Sequence, residues 1–72
     1  MADDPRIVFG KAIRKRRLAL GLSQVKLAER ADLHWTYVGG IERGERNLSL
    51  LNILKIAGAL KMTASDLLKE VK

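Results

Sequence analysis

Cysteine is absent from the 72 residues, so neither a disulfide framework nor a thiolate metal site can brace the fold. A single histidine is too little for a zinc site built by the protein alone. No stretch approaches the roughly 18 apolar residues of a membrane span, and the opening residues, MADDP, are polar and acidic with no apolar run behind them. The chain therefore reads as soluble, intracellular and cytoplasmic, with no membrane partner. Chemistry-bearing constellations are also missing. No nucleophile stands with a base, no carboxylates cluster, and no glycine loop has the phosphate-binding form, which excludes the usual enzyme classes. The aromatic stacking platform of RNA-binding modules is absent as well.

What is present is charge and helical pattern. Fourteen Lys and Arg against eight Asp and Glu leave a net +6, which favours a polyanionic partner, although small ribosomal and membrane-surface proteins share such balances. A chain this short forms one domain, residues 1–72, whose core is marginal unless another subunit adds to it. No second domain exists to house a small-molecule effector, so no cofactor, metal or small ligand is expected.

Asp4 followed by Pro5 is a helix-start signal, with Asp as N-cap and Pro at the first helical position. The first helix should run to about Leu20 and stop at Gly21. Phe9, Ile13, Leu20 and Ala12 or Leu18 line one side, while Lys11, Arg14, Lys15 and Arg16 make a basic surface. Ser23 is a good N-cap for a second helix. Leu27 and Ala31 share one face of it, and the small Ala28 lets another helix cross closely. Asp32 falls where the turn demands a left-handed residue, which Asp tolerates better than most. A third helix should span about Trp35 to Arg43, with Val38 and Ile41 turned inward and Gly44 ending it.

The string from Ser23 to Arg46, SQVKLAERADLHWTYVGGIERGER, resembles the helix-turn-helix of the Cro and phage-repressor type, the XRE family. The wider phrase ADLHWTYVGGIERGERNLSLLNILKIAGAL is similar to the small controller proteins of restriction-modification systems. The likeness extends from about Phe9 to Leu68. It implies an all-α, five-helix Cro/repressor-like domain, with the helix-turn-helix over about residues 24–43 and a dimerisation region over about 49–71. It also implies a structural ion pair between Arg17 and Glu42, tying the first helix to the end of the third.

Implied DNA-binding residues follow from the same match. Gln24, in the first turn of the second helix, is expected on the DNA backbone, as helix N-termini favour phosphates. The outward face of the third helix, His34, Trp35, Thr36, Gly39, Gly40 and Arg43 with Tyr37 at its edge, is the candidate surface for the major groove. His34 either caps the helix or reaches a base edge or phosphate. Trp35 stands where similar sequences carry long polar residues, often Arg. It offers one N–H donor, and stacks on a sugar, touches a thymine methyl, or lies half-buried against a neighbouring helix. Thr36 can donate to a base or phosphate and present its methyl to thymine. Tyr37 should pack its ring and direct its hydroxyl toward a phosphate. Gly39 and Gly40 cost the helix roughly 2 kcal/mol relative to alanine. Either the missing side chains let the backbone approach DNA, or they reflect drift or close packing on a neighbour. Arg46 and Asn47 match loop positions that reach DNA in similar proteins, the alternative being a merely solvated loop.

Ser49 caps a fourth helix to about Leu60. Wound at about 100° per residue, Leu50, Leu51, Ile53, Leu54, Ile56, Ala57 and Leu60 spread over about 220°, well beyond the stripe one core needs. Thr63 with Asp66 resembles a capping box and opens a short last helix bearing Leu67, Leu68 and Val71. A homodimer is expected, its interface drawn from Leu50, Leu51, Ile53, Leu54, Ala57, Leu67 and Leu68. Two recognition helices would then lie about 34 Å apart, one turn of a palindromic double-stranded site. The function implied is a DNA-binding transcriptional regulator of the controller type. The competing reading is an interaction module of the same fold, such as an antitoxin, whose fourth and fifth helices bind a different protein.

Overall fold

The computed structural model describes residues 4–71, so the expectation for the first three residues lies outside it. Five helices follow in order: α1 Pro5–Ala19, α2 Gln24–Ala31, α3 Trp35–Glu42, α4 Leu50–Ala59 and α5 Ala64–Leu67. No strand occurs among the described residues. Each start carries the cap that the sequence points to. The Asp4 carboxylate accepts from the Arg6 N–H at 2.8 Å, and the Arg6 side chain and N–H together hold that carboxyl down to about 2. Ser23, Ser49 and Thr63 hydroxyls accept from the N–H groups of Lys26, Asn52 and Asp66, satisfying donors that a helix leaves open.

The four longer helices end alike, with a residue in the left-handed region and a backbone bond reaching five residues back. Gly21, Asp32, Gly44 and Lys61 take φ of 70°, 57°, 77° and 58°, and Leu22, Leu33, Glu45 and Met62 donate to the carbonyls of Arg17, Ala28, Gly40 and Ala57. Asp32 thus holds the turn conformation expected of it. At Gly44 there is a second requirement, since a Cβ there would lie 2.6 Å from Ile7 Cγ1.

The core gathers Phe9, Ile13, Leu27, Ala28, Ala31, Val38, Ile41, Ile56, Ala57, Ala59, Leu60 and Leu67. Helix α3 is held between α1 and α2, and α4 packs on α2 and α5. Gly10 is what lets α1 meet the end of α3: a Cβ there would lie 2.7 Å from the Glu42 carbonyl oxygen, a backbone atom that cannot swing aside. Arg16 ties α1 to the far end of α4, donating Nε–H to the Leu60 carbonyl at 3.1 Å.

Two expectations for the interface need correction. Ala57 and Leu67, expected on the dimer surface, are each 2% exposed and belong to the core of the single chain. The broad apolar arc of α4 divides: Ile56, Ala57 and Leu60 turn inward, while Leu50, Leu51 and Leu54 face solvent. Ile53 and Leu68 lie between, half-buried against the core. Leu18, one of two candidates for the inward side of α1, is exposed, and Ala12 takes the inward place.

Candidate nucleic-acid interface

Helices α2 and α3 with the turn at Asp32 form a helix-turn-helix, and the geometry of α3 divides its residues by face. Val38 and Ile41 are buried in the core, whereas His34, Trp35, Thr36 and Arg43 are exposed. The exposed strip continues through Glu45, Arg46 and Asn47 in the loop.

Beneath this strip lies a buried anchor. Arg17 Nε and Nη2 donate to the two Glu42 carboxylate oxygens at 2.7 and 2.9 Å, and Nη1 donates to the Leu22 carbonyl at 2.9 Å. The fork-to-fork geometry is the strong form of this pair, and the Glu42 carboxylate holds the Arg17 guanidinium above its usual value. The expected ion pair is therefore present. Gln24 joins it, its amide Nε2 donating to Glu42 Oε1 at 3.2 Å. Gln24 is half-buried and keeps one amide hydrogen for an outside acceptor.

At the start of α3, His34 is the cap: its Nδ1 accepts the Thr36 N–H at 3.1 Å and lies 2.7 Å from Thr36 Oγ1. Trp35 is exposed rather than half-buried, and its ring stacks on that of His34, centroids 5.8 Å apart. Tyr37 packs its ring as expected, half-buried beside the core. Its hydroxyl, expected to point at a phosphate, accepts instead from Asn52 Nδ2 at 3.1 Å, which leaves the phenolic proton to donate outward. The Arg46 guanidinium covers the Tyr37 ring, 5.6 Å from its centroid, a cation–π arrangement.

Gly39 and Gly40 lie on the outward side of α3 but are buried, as in the close-packing alternative. Long side chains lie across them: Arg43 and Gln24 over Gly39, Arg46 over Gly40. Arg43 also pairs with Glu45, donating from Nε and Nη2 at 2.9 and 3.2 Å. The bond raises the arginine and lowers the carboxyl from their ordinary values. Asn47 is exposed beside them.

Glu45, Asn52 and Gly10 escaped the reading of the sequence. Asn52 had a signal, a polar residue inside LLNILKIAGAL, and Glu45 had one in its place two residues from Arg43. Nothing local marks Gly10, whose neighbour comes from another helix. The assembled strip of guanidiniums, amide, hydroxyl and indole offers donors for phosphates and base edges. Among the described residues, no three His, Asp or Glu side chains gather to hold a metal, and no helix is long and apolar enough to cross a membrane.

Comparison with known proteins agrees with this geometry. A family model described as helix-turn-helix matches residues 13–67. The control protein C.BamHI of Bacillus amyloliquefaciens is 49% identical over 69 residues, covering 94% of this chain and 85% of the relative. C.MunI, a control protein of a Mycoplasma species, is 39% identical over 71 residues, covering 97% and 96%. Among solved structures, the restriction-modification controller protein C.AhdI from Aeromonas hydrophila superposes with a TM-score of 0.84 at 50% identity, over 86% of this chain and 94% of that one. The chain belongs to the helix-turn-helix family of the XRE type, as a DNA-binding regulator and not an enzyme. Within that class it is similar to the restriction-modification control proteins.

Proposed function

We propose that the protein is a sequence-specific regulator that acts in the cytoplasm as a homodimer on palindromic double-stranded operators and controls restriction-modification gene expression. The observation that carries the reading is the uncovered strip along α3, from His34 to Arg43 and on to Arg46 and Asn47, on a chain of net charge +6. In this reading Trp35 and Thr36 meet base edges, and His34, Tyr37, Arg43, Arg46, Asn47 and the free amide hydrogen of Gln24 fix register on phosphates and sugars.

The homodimer is supported by α4. Leu50, Leu51 and Leu54 are 71%, 63% and 50% exposed and fall within about 100° of the helix circumference. Three leucines on one uncovered stripe are costly to leave in water. With Ile53 and Leu68 at its edge, this stripe is the proposed interface, without Ala57 and Leu67.

Sedimentation equilibrium of the free protein, followed by selection of binding sites from random duplexes at fixed salt, tests both halves. A dimer that selects an inverted repeat is the expected result. A monomer that selects nothing would replace this reading with an interaction module that uses the α4 leucines on another protein.

A further inference from the structure

Two glycines that the helix would not choose lie under two arginines that the proposed DNA surface needs. Gly39 and Gly40 are adjacent in α3 and both buried, although they lie on the side that faces away from the core. A Cβ on Gly39 would sit 3.2 Å from Arg43 Nη1 and 3.5 Å from Gln24 Oε1. A Cβ on Gly40 would sit 3.2 Å from both Cγ and Nε of Arg46. The 3.2 Å approaches are closer than a carbon comfortably accepts, so each arginine lies where an alanine would displace it by a few tenths of an ångström.

We propose that Gly39 and Gly40 are seats for arginine side chains: the missing Cβ at 39 lets Arg43 fold back along α3, and the missing Cβ at 40 lets Arg46 cross the helix onto the Tyr37 ring. The proposal rests on the DNA reading above and assigns the glycines as positioning residues. Neither glycine needs to touch the duplex. Each arginine is held from a second side as well, Arg43 by Glu45 at 2.9 Å and Arg46 by the Tyr37 ring at 5.6 Å. Arg has a large rotamer entropy to lose, and a side chain already settled before DNA arrives gives up less of it on binding. The poor helix propensity of a Gly-Gly pair is thereby exchanged for two guanidiniums with set directions. This differs from the account in which a bare backbone lets the duplex approach, because here the space is already filled by the protein itself.

The two accounts part in a double-mutant cycle. Dissociation constants are measured at fixed salt, on a duplex selected by the wild-type protein, for Gly39→Ala, Gly40→Ala, Arg43→Ala, Arg46→Ala and the pairs 39/43 and 40/46. Each glycine variant should bind about tenfold more weakly, and should lose little further once its arginine is already alanine, since contacting groups couple strongly. Each should melt about 4 °C higher, as alanine replaces glycine in a helix, so the loss of binding cannot come from unfolding. Were an alanine to lower the melting temperature instead, removing the arginine above it should restore it; failure to do so overturns the seat. If the glycine variants weaken binding equally with and without the arginine, close approach of DNA replaces the seat. If the arginine variants weaken binding and the glycine variants leave it unchanged, the DNA reading stands and the seat fails. If the arginine variants themselves bind as the wild type does, the arginines are not part of the interface and the seat has no function.

Discussion

Two arginine–glutamate pairs meet at the C-terminal end of α3, similar in length and opposite in environment. Arg17–Glu42 closes at 2.7 Å with side chains 8% and 3% exposed, and Arg43–Glu45 closes at 2.9 Å with side chains 61% and 58% exposed. Distance does not separate them; burial does. The first pair has no water to return to, and if one partner is lost the other is left charged in the interior. The second is surrounded by solvent that screens it and would solvate either partner alone. One is a bolt between helices, and the other is a resting position for a cation on the surface where DNA is proposed to bind.

The largest effect that sharpens the contrast is expected at the buried pair. Arg17→Ala or Glu42→Ala should lower stability in urea by about 3 kcal/mol, while Arg17→Met combined with Glu42→Leu should recover much of the loss, because the apolar pair leaves no stranded charge. If either single variant kept the wild-type transition, burial would not be what distinguishes the pairs. Next in size is Gly10→Ala. Alanine favours the helix, but its Cβ would meet the Glu42 carbonyl oxygen at 2.7 Å, and forcing α1 and α3 apart should cost about 2 kcal/mol net by urea unfolding. A variant as stable as the wild type would mean that the α1–α3 junction is looser than its geometry.

The same contrast explains what could be read in the sequence. Helix starts were legible because Asp4, Ser23, Ser49 and Thr63 act within their own first turns. The turn at Asp32 was legible because backbone conformation is a local property. Resemblance supplied the Arg17–Glu42 pair, whose members are 25 positions apart. What stayed hidden depends on neighbours distant in the chain or on side-chain direction. Gly10 looks like any helix glycine until the end of α3 is laid against it, and Ala57 and Leu67 look like interface until α5 folds over α4. Periodicity places a residue on a face, but only packing says whether that face is covered. Gly39 and Gly40 were placed on the outward face and proved to lie beneath it, because nothing in a sequence states that two arginines fold back over them.

Smaller effects belong to the exposed side of the comparison. Thr36→Ala should cost about 1 kcal/mol on a selected operator and little on random DNA, as expected of a base-reading group. Gel shifts at fixed salt on the two duplexes check this, and an equal loss on both would assign Thr36 to the backbone.

The least change in stability is expected at Glu45, and there the informative quantity is salt dependence. Glu45→Gln should leave the thermal transition where it is, since the pair is exposed, but it removes a carboxylate that offsets the Arg43 charge beside the phosphates. The slope of log affinity against log salt should then steepen by about one. Acid should do the same to the wild type. The Arg43 guanidinium holds the Glu45 carboxyl below the ordinary glutamate range, so whatever stability the pair gives is present above that range and is lost only as pH falls through the lowered value. Through the ordinary glutamate range the two proteins should therefore keep different slopes, and below the lowered value the wild type should converge on Glu45→Gln. Identical slopes at neutral pH would mean that Glu45 offsets none of the Arg43 charge toward the phosphates, and the exposed pair would then have no part in the salt dependence of DNA binding.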